Sequence, residues 1–158
     1  MNKYIKLGIW IFVLALLYAM GLFNIGGIYP ELIFIFSLTY SVITKSFKER
    51  LFVSIICGII MSALGGRGFI FSVLLIVYAS LFIGAMYEKK PKYARIILLL
   101  SILLITMIYE GVYGLIIRAS YDKIANIMIF ASLSNLLFTA FLYPLIKKTF
   151  EEKERYIF

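Results

Sequence analysis

Residues 94–117 read ARIILLLSILLITMIYEGVYGLII. The run exceeds the roughly 20 apolar residues that cross a bilayer, and it carries a single carboxylate, Glu110. An ionised side chain at the middle of such a span costs roughly 2.5 kcal/mol or more on insertion scales. Glu110 is therefore expected either to face the inside of a helix bundle or to lie near enough to the boundary to snorkel into headgroups. Thr106, Tyr113, Gly114 and Ile117 share its helical face by spacing. That face is smaller and more polar than the Leu98–Leu104 region, which predicts that it points into the bundle.

The remainder of the chain repeats the pattern. It is 63% hydrophobic, against about half for soluble domains, which marks an integral membrane protein. Its 158 residues hold about six spans with short loops and leave no room for a soluble domain. Apolar runs fall at approximately 7–23, 28–44, 51–64, 69–87, 94–117 and 124–146. The expected fold is an all-α, single-domain, six-helix transmembrane bundle over residues 1–158. Trp10 suits an interface anchor in the first run. Pro30 and Glu31 suit the opening of the second, where proline is tolerated and a carboxylate meets the positive end of the helix dipole. Lys45–Arg50 reads as a basic loop. Gly65-Gly66-Arg67-Gly68 reads as a turn, since the lysine and hydroxyl of a phosphate-binding loop are missing.

Charge sets the orientation. With six spans, thirteen of the sixteen basic residues fall on the side shared by the two termini; Arg67, Arg118 and Lys123 fall on the other. The asymmetry places both termini in the cytoplasm. It also accounts for the net charge of +8 without nucleic acid. The basic loops are expected to attract anionic membrane lipid, at about 1 kcal/mol per residue near the surface. There is no histidine, and Cys57 is the one cysteine. That excludes an intrachain disulfide, a His/Cys metal site and histidine-based catalysis. No cofactor is implied.

Depth then selects a candidate polar cluster. Glu110 lies roughly 24 Å along its helix from Ala94, in the outer half of the bilayer. Glu31, Arg67 and Arg118 lie near the same boundary, and Asn135 sits near the middle of the sixth run. A buried carboxylate needs a cation or must stay protonated; Arg67 is the preferred partner because Arg118 is about 12 Å further up the same helix. The plain alternative is hydrogen-bonding glue between helices. Two small-residue stripes, Ser54/Gly58/Ser62 and Ala15/Ala19, are candidate surfaces for helix packing or for a partner.

Several of these stretches resemble the MreD family, small bacterial rod shape-determining membrane proteins. Ile28-Tyr29-Pro30-Glu31-Leu32-Ile33 resembles the start of the family's second span. Gly58-Ile59-Ile60-Met61-Ser62 with Gly65-Gly66 resembles its third span and turn. Tyr109-Glu110, and Asn135-Leu136-Leu137 with Tyr143-Pro144, resemble its fifth and last spans. The family often carries an aspartate where this chain has Ser62. The resemblance implies a non-enzymatic scaffold of the cell-elongation machinery in the bacterial inner (cytoplasmic) membrane. It implies an MreC-type single-span partner and, through it, MreB, RodA and a class B penicillin-binding protein of peptidoglycan synthesis. The alternative is a substrate-binding S subunit of an energy-coupling-factor vitamin transporter, which docks through an Ala-x-x-x-Ala pair such as Ala15/Ala19. The short loop from Asn24 to Tyr29 is a poor lid for a vitamin, which favours the scaffold.

Overall fold

The computed structural model describes residues 2–24, 28–65, 68–89 and 93–150. Among these the chain forms six α-helices: α1 (Lys3–Ala19), α2 (Leu32–Ile43), α3 (Phe47–Gly65), α4 (Phe69–Lys89), α5 (Ala94–Ile116) and α6 (Tyr121–Phe150). Six helices match the sequence expectation, but not all six are spans in their own right. Three have the length and apolar composition to cross a membrane: Phe69–Glu88, Arg95–Ile116 and Tyr121–Phe150. These give the chain the character of a membrane protein.

The organising element is α2, the shortest of the six. It is apolar on all sides, and every residue from Leu32 to Val42 is buried. A helix that is hydrophobic all round belongs inside a bundle or in lipid. Twelve residues reach only about 18 Å, well short of a hydrocarbon layer of about 30 Å. The other five helices all pack against α2, so protein rather than lipid shields it. Pro30 disfavours helix at Tyr29, but Pro30 and Glu31 do not form the first turn that the sequence suggests: Glu31 is a non-helical cap residue (φ −79°, ψ 68°) and α2 begins at Leu32.

The remaining boundaries follow local chemistry. Asn2 opens α1 early by accepting from the Tyr4 N–H at 3.2 Å. Ser46 opens α3 by accepting from the Glu49 N–H at 3.3 Å, the N-terminal arrangement of a capping box. Lys48, Glu49 and Arg50 therefore lie in the first turn of a helix and not in the loop the sequence suggests. α5 closes with a Schellman pattern: the Arg118 N–H donates to the Leu115 carbonyl at 3.1 Å and the Ala119 N–H to the Gly114 carbonyl at 3.0 Å. Arg118 takes the left-handed position there, with φ 55°, a place glycine usually fills. α6 continues through Pro144 to Phe150, whose ring packs on Tyr40 (5.3 Å) and Phe36 (6.1 Å). Trp10 stacks on Phe36 at 6.2 Å, so it faces the core as well as any interface.

Close approach of α3 and α4 depends on Gly58. A Cβ built there would lie 2.8 Å from the Val73 Cα, so a side chain would have to push backbone apart. Gly58→Ala is expected to destabilise the fold by about 1–3 kcal/mol through overpacking. Gly8→Ala, where nothing lies within 4 Å of the added Cβ, is expected to be neutral or slightly stabilising. Thermal unfolding of the two variants in detergent checks both outcomes.

Candidate functional site

Both ends of α2 are buried, and a helix end leaves backbone groups that need partners. At its start the Glu31 N–H donates to the Asn135 Oδ1 at 2.8 Å. Asn135, on α6, is 1% exposed. Its Nδ2 donates to the Thr106 Oγ1 on α5 at 3.0 Å. One amide thus ties α2, α5 and α6 together. Glu31, Phe34, Met61, Thr106, Tyr109 and Asn135 line a narrow space between them that is too tight for a water molecule. The Tyr109 hydroxyl shares a hydrogen bond with the Ser72 hydroxyl at 3.2 Å, and its ring stacks on Phe71 at 5.5 Å, which adds α4 to the junction.

The structure brings part of the expected cluster together. Glu31 and Asn135 meet directly. Glu110 is buried, beside Tyr109 and one turn from Thr106. Arg118 does not join: it is exposed at the end of α5, because its left-handed backbone ends the helix. Arg67, with its expected pairing to Glu110, lies outside the described residues. The packing stripes divide. Ser54 is buried and Gly58 is closed by Val73 of α4, so this part of the stripe is not open to a partner; Ser62 is half-buried. On α1, Ala15 is half-buried and Ala19 exposed.

A second polar network, at the other end of α2, was not among the candidates. Arg50 is 3% exposed, and its Nε and Nη2 donate to the Thr44 carbonyl at 3.0 and 2.6 Å. The guanidinium thus caps the C-terminus of α2, where a cation suits the helix dipole. Its Nη1 pairs with Glu88 on α4 at 2.6 Å. Gly84 makes the space: a Cβ there would lie 2.7 Å from the Arg50 Nε. Next to it, one oxygen of Glu49 accepts from Lys3 Nζ (2.7 Å), the Thr44 hydroxyl (2.7 Å) and the Tyr40 hydroxyl (3.2 Å). Burial pushes the Glu49 carboxyl up, but these donors outweigh it and hold it below the ordinary carboxylate range. The sequence offered one cue, the Ser46-x-x-Glu49 spacing at the head of α3. Counting Arg50 and Lys3 as orientation charges concealed the rest.

Comparison with family models, with curated proteins and with solved structures found no match to this chain.

Both networks join helices through buried hydrogen bonds. Asn135→Leu strands the Glu31 N–H in a buried site and is expected to cost about 1–3 kcal/mol, with Thr106→Val costing less; chemical unfolding in detergent measures both. Glu49 gives a pH signature. A carboxylate with a lowered folded pKa adds stability above its unfolded value of 4.5 and loses it as pH falls through the folded value. The melting temperature of the wild type should drop across that acid range, and Glu49→Gln should remove that part of the drop.

Proposed function

We propose that this chain is a non-enzymatic, six-span scaffold of MreD type in the bacterial cytoplasmic membrane. Both termini are cytoplasmic, and the chain binds an MreC-type single-span partner. Through that partner it connects to MreB, RodA and a class B penicillin-binding protein. The observation that carries the reading is the convergence of the resembling motifs. Glu31 from the second run is hydrogen-bonded to Asn135 from the sixth, and Tyr109 from the fifth lines the same narrow space beside them. Motifs that are loose in sequence but gathered in space behave as one structural unit. The six-span count rests on α1 and α3 entering the bilayer beside α4, α5 and α6, with α2 enclosed among them. The orientation rests on the charge asymmetry.

The mechanism is lateral helix packing. With Ser54 buried and Gly58 closed by Val73 of α4, the Ala15/Ala19 stripe of α1, open at Ala19, is the small-residue surface proposed for the partner's span. Small residues let two backbones approach closely in lipid, where dispersion and not hydrophobicity drives helix association. Ala19→Leu, at the exposed end of the stripe, is expected to abolish copurification with an MreC-type protein from detergent extracts while leaving the melting temperature within a few degrees. Tight retention of a vitamin with no such partner recovered would replace the scaffold with a transporter subunit.

A further inference from the structure

The helices α1, α3 and α5 all begin at the same end of the bundle, and each begins in the same way. An exposed aromatic ring is followed within two residues by a cation: Tyr4 and Lys6, Phe47 and Lys48, Tyr93 and Arg95. Tyr4, Phe47 and Tyr93 are each more than half exposed. Lys48 and Arg95 are exposed and Lys6 is half-buried. These pairs sit on three different helices, each packed on α2, so they are spread over this end and not gathered on one helix.

Helix physics does not ask for this arrangement. The first turn of a helix is the positive end of its dipole and favours carboxylates. Neither α1 nor α5 has an acidic residue there. α3 has Glu49, but that side chain turns inward to Lys3, Thr44 and Tyr40. Glu88, the acid near the end of α4, is held by Arg50. The two described carboxylates at this end are thus paired with Lys3 and Arg50, which leaves Lys6, Lys48 and Arg95 as additional cations there. A rim of alternating aromatic rings and cations fits a planar anionic surface. Aromatic rings seek the headgroup level, and cations near an anionic leaflet gain about 1 kcal/mol each. A soluble acidic partner would need its contacts gathered on one side.

We propose that Tyr4/Lys6, Phe47/Lys48 and Tyr93/Arg95 form a collar that binds anionic phospholipid headgroups of the leaflet at this end of the bundle. The collar rests on the membrane orientation given above and is independent of the scaffold role and its partner.

The test is lipid selection by the purified protein in nanodiscs made from equal parts phosphatidylglycerol and phosphatidylcholine. After gentle detergent extraction, native mass spectrometry counts the lipids retained. Wild type should retain phosphatidylglycerol in preference to phosphatidylcholine, and the preference should fall between about 50 and about 500 mM salt as the screening length shortens. Each of Lys6→Gln, Lys48→Gln and Arg95→Gln should lower it about fivefold. The charge-keeping set Lys6→Arg, Lys48→Arg and Arg95→Lys should preserve it. Equal retention of the two lipids by wild type, a preference indifferent to salt, or a preference that survives the combined Gln variant would each overturn the collar. Loss of the MreC-type partner with the lipid preference intact would overturn the scaffold and leave the collar standing.

Discussion

A helix sealed away from both water and lipid must find partners for its two ends, and the bundle is arranged around that requirement. α2 is buried over its whole length. At its start a side-chain amide from α6 accepts the Glu31 N–H. At its finish a guanidinium from α3 holds the Thr44 carbonyl twice. An unmet backbone group in such an interior costs several kcal/mol. Each cap therefore fixes the depth and rotation of the helix that supplies it. The Asn135 amide also reaches Thr106, and the Arg50 guanidinium also reaches Glu88. Two caps thus draw α3, α4, α5 and α6 into register on one central helix. α1 joins through Lys3 on Glu49 and through Trp10 stacked on Phe36.

Much of this was legible in the sequence, and the rest was hidden for identifiable reasons. The six apolar runs became six helices because run length and charge placement dominate in a chain of this composition. Glu110, Glu31 and Asn135 were visible as polar groups that an apolar run cannot leave unaccompanied, and all three are buried. Arg118 was misplaced because its role is set by backbone: a left-handed residue closing α5 turns its side chain outward. The small-residue stripe on α3 was legible as a contact surface but not as to whose. The Val73 backbone of the same chain fills it. The centrality of α2 was not legible. Hydropathy cannot distinguish a helix surrounded by lipid from one surrounded by other helices, since both are apolar on every side. The Arg50 network was hidden by a related ambiguity, because a cation beside an apolar run reads as a topology signal whether it points to water or to a carbonyl.

The two polar networks divide the labour between fold and function. Among the described residues, the Arg50 and Glu49 network pairs Glu49 with Lys3 and Glu88 with Arg50, while Lys48, Arg95 and three aromatic rings stay exposed at this end. The Asn135 junction brings Glu31, Thr106 and Tyr109 around one narrow space between α2, α5 and α6.

The account turns on α2 being enclosed by protein. A carbene reagent confined to the bilayer, activated by light in proteoliposomes and mapped by mass spectrometry, reads lipid contact directly without any substitution. Peptides from the outward faces of α1, α5 and α6, around Phe12, Leu104 and Phe130, should be labelled, and residues 32–42 should remain unlabelled. Labelling of residues 32–42 at a density comparable with α5 would contradict the enclosed helix and the two-ended capping built upon it.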